Sequence, residues 1–372
     1  MKRIQKEFMK NDLKKKMVFL VGPRQVGKTW LAKEISKDYE HPLYMNYDSI
    51  KDREIIREES WRPNVDLLIF DEIHKMPGWK NYLKGIYDNK PEDLHILVTG
   101  SARLDSFRQS GDSLTGRFFI HHLLPFSYQE SLTDQKFSLD FLIGRGGFPE
   151  PLLAEDMEEV ERWRTLYIDS LIREDILDFE NIQKLKTMKT LITLLQNRVG
   201  APLSYLSLAQ DLDKSPHTIK KYIQILESLY IIFLITPYSR NIARSLKKEP
   251  KLYFFDTGMV IGDEGVIFEN YLAVSLLKHC QHLLDTRGIN ARLQYIRTKE
   301  KKEVDFCLVE DDVPILLLEA KTSDESISNS LWYFHDKYKI PAAQVVRYLK
   351  KERLKNKIAI RKAESYLSEL SI

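Results

Sequence analysis

Residues 22–29 read Gly22-Pro23-Arg24-Gln25-Val26-Gly27-Lys28-Thr29, directly after the apolar run Met17 to Val21. Few loops constrain a fold as tightly. The two glycines let the backbone curl until successive N–H groups point at phosphate oxygens. A helix opening from the loop adds the positive end of its dipole. Lys28 then neutralises terminal phosphates, and the Thr29 hydroxyl serves Mg²⁺. The preceding run is of buried-strand type, and a helix is expected from about Lys28 to Lys37. This strand–loop–helix setting separates the pattern from a chance glycine turn and implies ATP and Mg²⁺ as ligands.

Further apolar runs supply the rest of a sheet. Leu43 to Tyr47, Asp66 to Phe70, His95 to Thr99 and Phe118 to Leu123 read as strands, with helices near Ile50 to Glu59 and Trp79 to Asn89. Strands alternating with helices predict a parallel α/β sheet covered on both faces, the P-loop NTPase plan. The third strand ends in Asp71-Glu72, where Asp71 suits water-mediated Mg²⁺ binding and Glu72 suits a general base. The fourth ends at Thr99-Gly100-Ser101, and Ser101 is the candidate for positioning the attacking water. Hydrolysis also needs positive charge on the developing γ-phosphate. Arg103, Arg117 and Arg145 are candidates, and Arg117, after Gly116, is the favoured one.

The pattern changes after about Glu155. Residues 155–199 read as helices. Ser207 to Leu212 and His217 to Tyr230 form two helices around a turn at Asp213 to Pro216, with Ser215 as cap and Pro216 at the first helical position. Strands at Ile231 to Thr236 and Lys251 to Phe255 follow, joined by a basic loop. From about Gly262 alternation returns: a helix at Val266 to His279, strands near Leu293 to Thr298, Glu303 to Val309 and Ile315 to Glu319, and a helix at Asn329 to Lys339.

Composition sets limits here. Basic and acidic residues number 57 and 54, so overall charge argues for no polyanionic partner and any such case is local. Residues 200–250 hold seven basic side chains (Lys214, Lys220, Lys221, Arg240, Arg244, Lys247 and Lys248) against four acidic ones. Two cysteines, Cys280 and Cys307, make neither a metal pattern nor a disulfide framework, which fits a reducing, cytoplasmic setting. The basic N-terminus has no apolar signal core behind it, and no run is long enough to span a bilayer, so no membrane association is expected.

The phosphate loop, Leu67-Leu-Ile-Phe-Asp71-Glu72-Ile-His, Leu97-Val-Thr-Gly-Ser101-Ala-Arg, Leu114-Thr-Gly-Arg117 and Leu124-Pro-Phe-Ser127 together resemble the bacterial and archaeal AAA-type ATPases that carry a C-terminal domain of unassigned function. Gly147-Phe-Pro-Glu150, Lys251-Leu-Tyr-Phe-Phe-Asp256-Thr-Gly258, Phe268-Glu269-Asn270 and Glu303-Val-Asp305-Phe306 extend the resemblance over nearly the whole chain. It departs from the family at Ala320, where valine is usual, and at Leu318, one apolar residue more. The resemblance implies an AAA-type ATPase domain at 1–150, a helical linker and winged-helix module at 151–260, and a PD-(D/E)XK nuclease-like α/β domain at 261–372.

Within the last module, Glu319 and Lys321 are two apart on a strand and share a face. If the strands form a hairpin, Asp305 approaches Glu319, and Glu269 matches the pattern's further acid. Glu269, Asp305 and Glu319 would hold a divalent ion, and Lys321 would orient the attacking water. The literal proline–aspartate is missing, since Val304 precedes Asp305. The leading expectation is an ATP-driven switch whose C-terminal modules bind, and can cleave, nucleic acid, with homo-oligomerisation completing the ATP site. The alternatives are a signalling ATPase that binds an unknown protein partner and carries an inactive nuclease-like fold, and an ATP-gated DNA-binding regulator.

Overall fold

A computed structural model of the chain describes residues 2–100, 114–133, 137–176, 182–239, 249–300, 302–323 and 326–372. It separates into two compact units, residues 1–124 and 125–372.

In the first unit, helix α1 (Gln5–Leu13) precedes strand β1 (Met17–Val21), helix α2 (Lys28–Ser36), strand β2 (Pro42–Asn46), helix α3 (Ile50–Glu58), strand β3 (Leu67–Asp71), helix α4 (Trp79–Asn89) and strands β4 (His95–Thr99) and β5 (Phe118–His122). The strands pair in the order β2-β3-β4-β1-β5, all parallel. Every residue of β1 and β3 is buried, because a central parallel strand is covered on both faces and reads as an unbroken apolar run. Phe19, Phe70, Ile73, Leu83 and Val98 pack one core cluster. Parallel pairing brings all five strands out at the same edge, so the loop after β1 lies beside the ends of β3 and β4.

The second unit opens with α5 (Tyr128–Leu132), α6 (Leu139–Arg145), α7 (Pro149–Leu153), α8 (Met157–Ile176) and α9 (Ile182–Gln196). Helices α10 (Tyr205–Asp211) and α11 (Pro216–Ser228) follow. Ser215 caps α11 by accepting from the Thr218 N–H at 3.1 Å, with Pro216 in the first turn, as expected. Strands β6 (Ile232–Ile235) and β7 (Lys251–Phe254) form an antiparallel pair. The tip expected to carry Arg240, Arg244, Lys247 and Lys248 lies outside the described residues.

Helix α12 (Glu264–Arg287), strands β8 (Ala291–Arg297), β9 (Glu303–Glu310) and β10 (Val313–Lys321), helix α13 (Asn329–Tyr338), strands β11 (Ala342–Val346), β12 (Arg353–Lys355) and β13 (Ile358–Lys362), and helix α14 (Ala363–Ser368) complete the chain. The strands make a mixed six-stranded sheet in the order β12-β13-β11-β10-β9-β8. The first compact unit runs to Leu124. Within the second, Lys278 of α12 donates to the Pro125 carbonyl at 2.9 Å and pairs with the buried Glu130 carboxylate, tying residues 125–130 to α12.

Candidate functional site

The loop after β1 is held in a conformation that its glycines permit. Gly22 has φ +141° and Gly27 φ +99°; a Cβ on Gly22 would lie 2.2 Å from the Leu123 carbonyl oxygen. Arg3, ahead of α1 and 4% exposed, straps the loop. Its guanidinium donates to the Val26 carbonyl at 2.6 Å and to the Leu124 carbonyl at 3.0 Å. Nothing local in the sequence pointed to Arg3, because its partners lie 23 and 121 positions away.

Lys28 arches back over its own loop and donates to the carbonyls of Gly22 at 3.0 Å and Pro23 at 2.5 Å. Burial pushes its pKa down to about 8, against the pull of Glu72 and Asp71. Its partners are neutral oxygens, so much of its charge is left for an anionic ligand.

Asp71, at the end of β3, accepts three hydroxyl bonds. Thr29 Oγ1 and Tyr44 OH reach its Oδ2 at 2.9 and 2.6 Å, and Thr99 Oγ1 reaches Oδ1 at 2.5 Å. Burial, with the bond to Asp71, pushes the Tyr44 phenol pKa up. Tyr44 and Thr99 escaped the sequence reading. Their signal was their position on the strands flanking β3, which the register makes plain by setting Asn46 and Thr99 opposite Asp71.

The next residue, Glu72, adopts φ +56°, and its N–H donates to the Thr99 carbonyl at 3.0 Å. Its carboxylate lies 3.6 Å from His74 Nε2 and 3.5 Å from Lys75 Nζ. Burial raises its pKa, partly offset by Lys75. The donor set of Thr29 hydroxyl and Asp71 carboxylate, hard oxygens beside a phosphate loop, fits a hydrated Mg²⁺.

Ser101 and Arg103 lie outside the described residues. Arg145 donates to the carbonyls of Pro151, Ala154 and Glu155. Arg117 precedes β5 and forms a two-pronged pair with Asp88 at 2.7 and 3.0 Å. Its carbonyl accepts from the N–H of Met17, the first residue of β1, whereas the phosphate loop follows the last. Five strand residues intervene, roughly 16 Å, so Arg117 lies at the sheet edge opposite the loop.

The second constellation assembles on β9, β10 and α12. Antiparallel register pairs Leu318 with Phe306, which sets Glu319 opposite Asp305 on one face. Asp305 Oδ2 accepts from the Ala320 N–H at 3.0 Å, and Lys321 Nζ lies 3.1 Å from Glu319. Glu269 joins from α12 and accepts from Tyr253 OH at 2.7 Å. Burial, then the neighbouring Asp305, pushes the pKa of Glu269 up to about 8 and that of Glu319 up to about 7.

Glu269, Asp305 and Glu319, the three expected metal-holding acids, lie near one another. Among the described residues, no group of three or more His, Cys, Asp or Glu side chains has metal-holding geometry. Beside them lies Lys251, the first residue of β7 and 1% exposed. Its Nζ lies 2.8 Å from Glu303 and 3.6 Å from both Glu269 and Asp305. Glu303 thus joins Glu269 and Asp305 in facing Lys251, while Glu319, beside Asp305, pairs with Lys321. A single lysine opening an apolar strand, Lys251-Leu-Tyr-Phe-Phe, was the signal available in the sequence.

Lys214, Lys220 and Lys221 are exposed at and just before α11. Cys280 and Cys307 are buried and free. No helix among the described residues is long and apolar enough to cross a membrane.

Residues 14–132 match the family described as an AAA domain. Residues 136–262 and 264–363 match two families each described as a domain of unknown function, DUF8612 and DUF4143. An uncharacterized protein of Mycobacterium tuberculosis is 26% identical over 328 residues, covering 85% of this chain and 72% of its own length. One of Haemophilus influenzae is 25% identical over 360 residues, covering 86% of each. Among solved structures, a Walker-type ATPase of Pyrococcus abyssi aligns at TM-score 0.44 and 16% identity, over 68% of this chain and 93% of its own. RuvB of Thermotoga maritima aligns at 0.33 and 18%, over 62% and 88%. The first unit has the P-loop NTPase fold and is an AAA-type ATPase domain, on the strength of the family match, the sheet order and the loop geometry.

Proposed function

We propose that the chain is an Mg²⁺-dependent ATP-hydrolysing switch whose second unit binds nucleic acid without cutting it. The observation that carries the ATPase part is the convergence of Lys28, Thr29, Asp71 and Glu72 at one sheet edge. Backbone N–H groups of residues 22–29 receive the phosphates, and Lys28 exchanges its two carbonyl partners for phosphate oxygens. Mg²⁺, held by Thr29 and through water by Asp71, would supply charge neutralisation at the β- and γ-phosphates. Tyr44 and Thr99 keep the Asp71 carboxylate aimed at Thr29. Glu72 takes the proton of the attacking water; its raised pKa makes it a better proton acceptor at neutral pH. Arg117 is available only to a neighbouring copy, which favours an oligomer in which it reaches across.

Glu72→Gln keeps shape and removes the base, so it should bind ATP as tightly as the parent and lose turnover by about 10²- to 10⁴-fold. Lys28→Ala should lose ATP affinity by at least about tenfold, the scale of a hydrogen bond to a charged group. Parental turnover in Glu72→Gln, or unchanged affinity in Lys28→Ala by calorimetry, would overturn the site.

For the second unit, α10, α11 and the β6–β7 pair support a winged-helix reading, and the sheet with α12 supports a nuclease-like one. The exposed lysines of α11 suit phosphate contacts. The lysine-filled carboxylate cluster favours binding over cleavage. Lys220→Ala with Lys221→Ala should weaken duplex binding across sequences and flatten its salt dependence. Fluorescence anisotropy at several salt concentrations decides it; an unchanged slope points to a protein partner instead.

A further inference from the structure

We infer that the Lys251 ammonium is a built-in cation that replaces a divalent metal at the carboxylate cluster, and that removing it converts the cluster into a divalent-cation site. This inference is independent of the ATPase reading.

The lone pairs of three acids are directed at Lys251 and spoken for around it. Glu303 Oε1 meets Nζ at 2.8 Å, and its Oε2 lies 3.4 Å from Arg297. Glu269 Oε1 faces Nζ at 3.6 Å and also accepts from Tyr253. Asp305 Oδ1 faces Nζ at 3.6 Å, while Oδ2 takes the Ala320 N–H. The Tyr295 ring sits 5.5 Å from the ammonium, an added attraction of the cation–π kind. Gly200 closes the side toward Glu269, since a Cβ there would lie 2.8 Å from its carboxylate oxygen.

A Mg²⁺ or Mn²⁺ ion needs oxygens at about 2.1 Å around one centre. Here that centre holds an ammonium, and a second cation beside it would meet strong repulsion at short range in a buried site. Glu319, beside Asp305, pairs with Lys321 rather than with Lys251, and its Oε2 is buried with no hydrogen-bond partner among the described residues. Without the lysine charge, three carboxylates on one side of a closed pocket repel one another, and a divalent ion relieves that repulsion in competition with protons.

The test compares the nucleotide-free full chain with Lys251→Met, Asp305→Asn and the double variant. Because all four share the same phosphate loop, differences report on the cluster. Mn²⁺ binding is measured by calorimetry, and the melting temperature with and without millimolar Mn²⁺. The expected result is that Lys251→Met gains one Mn²⁺ per chain and an upward melting shift, both lost in the double variant, while the parent and Asp305→Asn are alike. A Mn²⁺ bound by the parent and lost in Asp305→Asn would overturn the inference, as would a folded Lys251→Met with no gained ion. If Lys251→Met fails to fold, the comparison of parent with Asp305→Asn still decides, an Asp305-dependent ion overturning it and equal binding supporting it.

Discussion

Two lysines of this protein are almost wholly buried beside carboxylates, and their surroundings drive them in opposite directions. Lys28 spends its hydrogen bonds on the neutral carbonyls of Gly22 and Pro23, and burial carries its pKa down to about 8. Lys251 faces three carboxylates, and their attraction overcomes burial and raises its pKa. In the first unit the nearby acid, Asp71, is held by hydroxyls, which orient a carboxylate without neutralising it. In the second the acids are neutralised directly. A buried lysine bonded to neutral oxygens is thus poised for an incoming anion, whereas one ringed by carboxylates is a structural counter-ion.

The largest expected contrast is in stability. Lys251→Met leaves buried acids unpaired and should cost about 3–5 kcal/mol, read from denaturant unfolding of the full chain. Lys28→Met removes a weakly compensated buried charge and should be neutral or stabilising at pH 7. Equal losses in both would erase the distinction between the two lysines.

The pH dependence should also run in opposite senses. Glu269 has its pKa raised from 4.5 to about 8, so the native state binds more protons than the unfolded one between those values. Its contribution to stability is complete below pH 4.5 and is lost as pH rises through 8. Glu269→Gln should flatten that fall. Lys28 has its pKa lowered, so between about 8 and 10.5 the native state binds fewer protons and its contribution makes stability rise with pH. Stability profiles that do not change with Glu269→Gln would contradict the first half.

ATP affinity sharpens the comparison further. Phosphate binding requires protonated Lys28, so affinity should be level below pH 8 and fall by up to about tenfold per unit above it. Calorimetric titrations between pH 7 and 9.5 measure this. A flat profile would mean that burial does not depress the Lys28 pKa.

The smallest expected effect concerns Tyr44. Tyr44→Phe deletes one of three hydroxyl bonds to Asp71 and should raise the Mg²⁺ concentration for half-maximal turnover by about two- to tenfold, the scale of one hydrogen bond. KM for ATP should hold. An unchanged Mg²⁺ requirement would assign Asp71's orientation to Thr29 and Thr99 alone.

Much of the first unit was legible along the chain. Lys28 and Thr29 follow Gly22 closely enough for the loop to be read in one glance, and the wholly buried strands read as unbroken apolar runs. Tyr44, Thr99 and Arg3 were not legible, because each acts on a residue at least 23 positions away. In the second unit the shared face of Glu319 and Lys321 follows from their spacing, and the hairpin that carries Asp305 to Glu319 was anticipated. The partners of Lys251 were not: Glu303 faces it with Glu269 and Asp305, and Lys251 itself arrived from a strand in a different sheet.

The sequence by itself determined the phosphate loop, the strand-end acids Asp71 and Glu72, and the alternation of strands and helices in the first unit, because these depend on neighbours within a few residues and on backbone periodicity; the strands β11 to β13 and the helix α14 were not read from it. Tertiary structure alone decided which charges face one another. It placed Arg117 at the sheet edge opposite the loop, hung Asp71 from three hydroxyls, and set the Lys251 ammonium among carboxylates from α12 and β9. Electrostatic energy in a buried site depends on distances of a few ångströms, and register and packing set those distances between residues 18 to 54 positions apart.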